Sequence, residues 1–272
     1  MAARANRAGT NAARPDKNSV GSGGVESDGA ERIAKRLSRL GVCSRREAER
    51  MIGDGRITVD GSVVTTPALR VAPGARLTVD GRPVKQAEHV RLWRYHKPNG
   101  LICTNRDPQG RETIFDRLPR ELPRVITVGR LDLTSEGLLL LTNDGELARR
   151  LEHPDTGWTR RYRARVFGKP DVARLAKLAR GITLDGIRYG PIEARVDRIQ
   201  ETNAWLSIAL REGKNREIRK VLDHLDLKVN RLIRVSFGPF QLGTLAAEAI
   251  EEIPEKVIQE QTGRGKADDA GR

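Results

Sequence analysis

Two hydrophobic periods follow one another near the start of this chain, and together they restrict what it can fold into. Ile33, Leu37 and Leu40 recur at the three- and four-residue spacing of one helical face, and Gly41 ends the run. Ser44 predicts the start of a second helix, with Glu47 as the reciprocal partner in a capping box. Ala48, Met51 and Ile52 then face the same core. After Gly55 the period drops to two. Ile57 and Val59 lead into Asp60-Gly61, and Leu77 and Val79 into Asp80-Gly81, both strong hairpin turns. Two helices feeding short hairpins predict a compact α+β module over residues 30–88.

A larger domain is expected over residues 89–261. Strand patterns fall at Leu92–His96, Val125–Val128, Gly137–Leu141, Arg161–Phe167, Ile192–Ile199, Ala204–Leu210 and Asn230–Phe237. Helical patterns fall at Glu146–Glu152, Asp171–Ala179 and Arg216–Leu225, and Leu245–Gln261 has helical composition broken by Pro254. Many strands with few, scattered helices predict a mixed, mainly antiparallel sheet rather than regular βαβ winding. Residues 1–29 and 262–272 lack the apolar content to fold and are expected to be a disordered basic arm and a disordered tail.

The charge points to a partner. A net charge of +14 and a pI of about 10.4 imply a polyanion, because clustered Lys and Arg release counterions from phosphates. The longest purely aliphatic run, Leu138 to Leu141, is too short to span a membrane, and the N-terminal stretch has no apolar signal core. Cys43 and Cys103 stand apart and the four histidines are scattered, so no metal site is expected and the thiols fit a reducing cytosol. The two predicted N-terminal helices carry Arg32, Lys35, Arg36, Arg39, Arg45, Arg46 and Arg50. So many cations on one helical hairpin would repel one another unless a phosphate backbone met them.

Three further stretches stand out. Gly129-Arg130-Leu131-Asp132 lies between two apolar strands and sets an acid beside an arginine at a strand end, where sites are commonly built; the residues alone also fit an ordinary loop in which Asp132 merely caps a turn. Glu212–Lys220 is a basic helix start, with Asn215 as the expected cap and Lys214 and Arg216 near the free amides; it could equally be a solvated terminus. In Arg160–Val166 the alternation puts Tyr162, Ala164 and Val166 on one face and arginines on the other. A ring in that position is either core or a stacking platform for a base.

These residues carry a resemblance. Arg32–Leu37, Gly41, Ser44–Ala48 and Gly55–Gly61 are similar to the S4 RNA-binding domain. The Gly129–Gly137 and Glu212–Lys220 stretches, with His96–Gly100, Arg106–Arg111, Phe115–Pro119 and Leu140–Gly145, resemble the RsuA/RluB branch of the ribosomal RNA pseudouridine synthases. The resemblance implies a central bifurcated antiparallel sheet around a cleft and places the family's catalytic aspartate at Asp132, its active-site tyrosine at Tyr162 and its carboxylate-pairing basic residue at Arg219. Arg130 is the second candidate for that pairing, or a phosphate contact. The segment after Gly243 departs from the family pattern by being acidic.

The reaction so implied breaks the uridine N1–C1′ bond and rejoins the ring through C5. No net oxidation occurs, so no cofactor or metal is expected; the carboxylate either attacks C1′ or takes the 2′ proton to give a glycal. The expected partner is ribosomal RNA, 23S rather than 16S, free or in a precursor particle, met by a cytoplasmic monomer. Two other readings are an inactive S4-bearing ribosome-assembly protein and an S4-bearing methyltransferase. The second would need a glycine-rich cofactor loop after a strand, and the sequence has none there.

Overall fold

The computed structural model describes residues 29–86, 88–105 and 107–262. The expectations placed on the basic arm before Gly29, on Arg106 and on the tail beyond Thr262 lie outside these residues.

The N-terminal module forms as its pattern predicts. Helix α1 (Ile33–Arg39) buries Ile33, Ala34 and Leu37, and α2 (Arg45–Gly53) buries Ala48, Met51 and Ile52. The Ser44 hydroxyl accepts from the Glu47 amide at 3.2 Å. The Glu47 carboxylate does not complete the expected box, because it is drawn to the Arg50 guanidinium one turn on. Strands β1 (Ile57–Val59) and β2 (Leu77–Val79) pair antiparallel, each continued by a hairpin through Asp-Gly. Asp60, Gly61, Asp80 and Gly81 all have positive φ, as tight two-residue hairpin turns require.

The rest of the chain builds a nine-stranded sheet among the described residues. Its main strands are β3 (Leu92–Lys97), β4 (Ser135–Thr142), β5 (Arg160–Phe167), β6 (Ile192–Gln200), β7 (Asn203–Leu210), β8 (Lys228–Phe237) and β9 (Ile250–Glu252), in the spatial order β6-β7-β5-β8-β4-β3-β9. All neighbours are antiparallel except β8 and β4. Along one edge, β4 pairs with β8 over Ser135–Gly137 and then with Ile126–Val128 over Leu140–Thr142, while β3 occupies its other edge. The sheet therefore forks beyond Gly137. Only glycine fits there: φ is +101°, and a Cβ would lie 2.3 Å from the Arg234 carbonyl oxygen.

Three apolar clusters fix the fork. Leu138 and Leu140 pack on one side of β4 with helix α3 (Gly145–Glu152), and Leu139 and Leu141 pack on the other with Trp93, Tyr95 and Ile114. All four leucines are fully buried, each contributing about 1.5–3 kcal/mol of transfer free energy. A third cluster sets α4 (Glu217–His224) and the helix Val172–Lys177 against β5, β7 and β8. The Asn143-Asp144-Gly145 stretch is a structural joint. Asp144 caps α3 by accepting from Glu146 and Leu147 amides, and Asn143 ties the chain before β3 through Arg91 N and His89 O.

The C-terminal segment differs from expectation. Only Glu255–Thr262 is helical; Ile250–Glu252 is instead the edge strand β9. Its acidic residues explain the docking, since Glu251 pairs with Arg94 and Glu252 with Arg91 across the β3 edge. The final helix runs through Thr262, where the tail was expected to begin, and that buried hydroxyl bonds to Ile258 O.

Candidate active site

A cleft of about 550 Å³ opens at the fork, and its wall includes Asp132, Tyr162 and Arg219 together. Arg130, Lys214 and Arg216 line it as well. Asp132 stands on the turn joining Ile126–Val128 to β4. Side chains from four directions hold the main chain of this turn. Glu152 accepts from Gly129 N at 2.6 Å, and the Cys103 thiol donates to Leu131 O at 3.4 Å. Arg219 donates to Thr134 O at 2.9 Å, and Lys97 to Ser135 O at 2.8 Å and Leu133 O at 3.4 Å. The half-buried Asp132 carboxylate remains free among the described residues.

Tyr162 comes from β5, on the face that also buries Ala164 and Val166. Between Arg161 and Tyr162 the β5–β8 register shifts, skipping Val235, so that Tyr162 sits opposite Arg234. Such bulges re-aim side chains beside active sites. Tyr162 packs against both clusters that border the cleft on this face.

Arg219 differs from expectation. Instead of a direct ion pair with Asp132, its guanidinium donates to Val229 O at 3.0 Å and to Thr134 O, and its Nε is buried without a partner among the described residues. Burial, and then the charge of Arg216, push its pKa down, while the Asp132 carboxylate pulls it up. The coupling to Asp132 is therefore through space and through the shared turn. Asn215 is not the helix cap. Arg216 takes that position with φ +51° and makes no side-chain cap bond, while the Glu217 carboxylate reaches back to accept from Lys214 N at 3.0 Å in the loop before the helix.

Several cleft residues escaped the sequence reading. Arg234 is 3% exposed, bonds to Leu138 O at 2.7 Å and leaves one guanidinium nitrogen buried without a partner. Arg160 lies over the Phe237 ring, 4.8 Å from its centroid, and burial lowers its pKa. Glu217, 3% exposed, is pushed up to about 8, first by burial and then by the neighbouring Glu212. The available signal was a charged residue on the buried phase of a strand: Trp93, Tyr95 and Lys97 in β3, and Leu232, Arg234 and Ser236 in β8.

The cations of the N-terminal module lie apart from this cleft, on α1, α2 and the residues leading into them. Arg36 and Arg39 share the Glu31 carboxylate, Arg50 pairs with Glu47, and Lys35 reaches Glu31 at 3.9 Å and Glu146 of α3 at 3.7 Å. Arg32, Arg45 and Arg46 are exposed and in no ion pair among the described residues. Also among these residues, no cluster of three metal-ligating side chains occurs and no helix is long and apolar enough to cross a membrane.

A carboxylate-bearing turn set in the fork of an antiparallel sheet, facing arginines and lysines and joined to a basic helix–hairpin module, defines an RNA-modifying enzyme. Residues 91–224 match the RNA pseudouridylate synthase family and residues 31–77 the S4 domain. The chain is 44% identical over 229 residues to an uncharacterized RNA pseudouridine synthase of Rickettsia felis, covering 84% of this chain and 99% of that one. It is 42% identical over 222 residues to a Salmonella typhimurium protein named ribosomal large subunit pseudouridine synthase B, covering 78% and 75%. A crystal structure of a pseudouridylate synthase shares the fold, with a TM-score of 0.59 at 22% identity over 85% of this chain and 99% of that one. The chain belongs to the RNA pseudouridylate synthase family and carries an S4 domain.

Proposed function

We propose that this enzyme isomerises a uridine of large-subunit ribosomal RNA, with Asp132 as the catalytic carboxylate. One observation carries the assignment of the residue. The cleft wall holds Asp107, Asp132, Glu152, Glu212 and Glu217, and four of these are engaged. Asp107 is bound by Arg111, Glu152 by Gly129 N, Glu212 by Gly190 N and Lys214, and Glu217 by Lys214 N. Asp132 alone keeps its carboxylate free of hydrogen bonds and ion pairs among the described residues. The substrate class rests on the 42% identity to the Salmonella enzyme named for the large subunit.

The target uridine leaves its stack, at a cost of a few kcal/mol that phosphate contacts to Arg130, Lys214 and Arg216 and stacking on Tyr162 offset. The Asp132 carboxylate then attacks C1′ with loss of N1, or removes the 2′ proton to give a glycal. The freed uracil turns and C5 bonds to C1′, displacing the Asp132 carboxylate from C1′ on the first route or with Asp132 returning the proton to C2′ on the glycal route; the C5 proton then leaves with help from the Tyr162 hydroxyl, and N1 gains a proton. Arg219 sets its positive charge near the carboxylate and holds the turn that carries it through Thr134 O. We place the reaction in the cytoplasm, carried out by a monomer on free ribosomal RNA or a precursor particle.

The test uses 5-tritiated uridine in unmodified 23S and 16S transcripts. Wild-type protein should release tritium from the 23S transcript, and Asp132→Asn should lose turnover by at least 10³-fold while binding the transcript with nearly unchanged affinity, as expected of a group acting in the chemical step. Wild-type turnover by the variant removes Asp132 from the mechanism. Release from 16S alone removes the large-subunit assignment.

A further inference from the structure

The two faces of β5 are chemically opposite. Tyr162, Ala164 and Val166 turn to the cleft side, and Arg161, Arg163, Arg165 and Phe167 turn to the other. Helix α3 and the last helix cover that other side only over β3, β4 and β8. Over β5 it is open: the three arginines are exposed, and Phe167 is 51% exposed.

None of the three arginines is in an ion pair among the described residues. Their spacing along the strand is about 6.6–6.8 Å per step, so the like charges lie within one Debye length of each other. Arg165 also stands directly opposite Arg231 of β8, and like charges in register across a sheet are destabilising. Arg231 is satisfied by Glu136 at 2.8 Å; Arg165 has no such acid. On the other neighbour, β7, Trp205 is opposite Arg165, and the Arg163 guanidinium lies over its ring at 4.8 Å. A row of guanidinium groups without ion pairs at even spacing, one of them over an indole, is matched by consecutive phosphates on one strand.

We propose that the outer face of β5 is a second RNA contact, binding the phosphate backbone of a segment outside the cleft through Arg161, Arg163 and Arg165. The enzyme thus grips a large RNA from both sides of the strand that presents Tyr162. The inference rests on the RNA-modifying reading above. It adds that length of RNA, beyond the target stem, contributes affinity.

The experiment measures binding and tritium release with the full chain on two probes: an unmodified full-length 23S transcript and a short uridine-bearing hairpin that fills the cleft but cannot reach the opposite face. In the triple variant Arg161→Gln, Arg163→Gln, Arg165→Gln, binding to the long transcript should weaken, with a log K against log[salt] slope shallower by about 2–3, at 0.7–0.9 per lost phosphate contact. Hairpin binding and kcat should be unchanged, and the triple Lys variant should keep the wild-type slope. Single Arg163→Gln and Arg165→Gln variants, each expected to lose about 0.7–0.9 of slope, keep the test open if the triple variant does not fold. An unchanged slope on the long transcript overturns the inference, including the case in which this face binds a protein instead. Equal losses on transcript and hairpin overturn it too, since they place the effect in the cleft. If wild-type protein neither binds nor modifies RNA, the reading beneath the inference fails first.

Discussion

Lys97→Met tests how the catalytic turn is held. Lys97 is fully buried at the end of β3, and its ammonium donates to Pro98 O at 2.9 Å, Ser135 O at 2.8 Å and Leu133 O at 3.4 Å. Methionine fills a similar volume and removes all three bonds. Two good bonds from a charged donor are worth about 1.5–3 kcal/mol each. Part returns, because burying the ammonium is costly: burial pulls its pKa below 10.5. The third contact is long, and Leu133 O also accepts from Gly100 N at 2.9 Å, so it is not orphaned. The net loss is about 2–4 kcal/mol, which lowers Tm by about 5–12 °C for a domain of this size. The turn carrying Asp132 then loses the lysine anchors on the β4 side, keeping Arg219 at Thr134 O and Gly100 N at Leu133 O, and a displacement near 1 Å costs about 10²-fold in kcat. KM should stay within about twofold, since the cleft cations are untouched. Thermal denaturation by circular dichroism and tritium-release kinetics on folded protein read both effects. A folded Lys97→Met enzyme with wild-type kcat refutes the link between this lysine and the placement of Asp132.

Two further perturbations address the fork and its acid pair. Gly137→Ala must force a Cβ against the Arg234 backbone at a φ of +101°, so the variant should lose about 3 kcal/mol or more in denaturant unfolding, and a loss under 1 kcal/mol would contradict the fork geometry. Glu217, with a carboxyl pKa raised from 4.5 to about 8, stays protonated in the folded protein while its unfolded counterpart ionises. Its contribution to stability therefore falls as pH rises from about 4.5 to 8 and is constant above that. Glu217→Gln removes this slope, so the stability of the variant relative to wild type should increase across that window; parallel pH profiles would show that Glu217 titrates normally.

The parts of this molecule governed by local rules were legible in the sequence. The Ser44 cap, the two Asp-Gly hairpins and the alternation of β5 each depend on residues a few positions apart, and they form as read. Asp132, Tyr162 and Arg219 are distant in sequence, and it was the family resemblance, not a local rule, that grouped the residues the fold brings to one cleft. What failed depends on contacts across the chain. Asn215 misses the cap because the helix begins one residue later, with Arg216 at the cap position in the left-handed region. Arg219 spends its donors on Thr134 O and Val229 O, carbonyls that no local pattern places beside it. Ile250–Glu252 reads as helix by composition and becomes a strand because the β3 edge offers it Arg91 and Arg94. Lys97 and Arg234 hide on the buried phase of their strands, where a charge is not expected.

The turn around Asp132 is restrained almost entirely by its peptide groups: Gly129 N, Leu131 O, Leu133 O, Thr134 O and Ser135 O are the atoms seized by its neighbours. Fixation of that kind is blind to what the intervening side chains are. Leu133 and Thr134, both facing solvent, can therefore drift in evolution or be redesigned to meet a different RNA contour, and the acid between its moorings keeps its aim. The fold thus separates the hardware that points the carboxylate from the surface that chooses what it is pointed at.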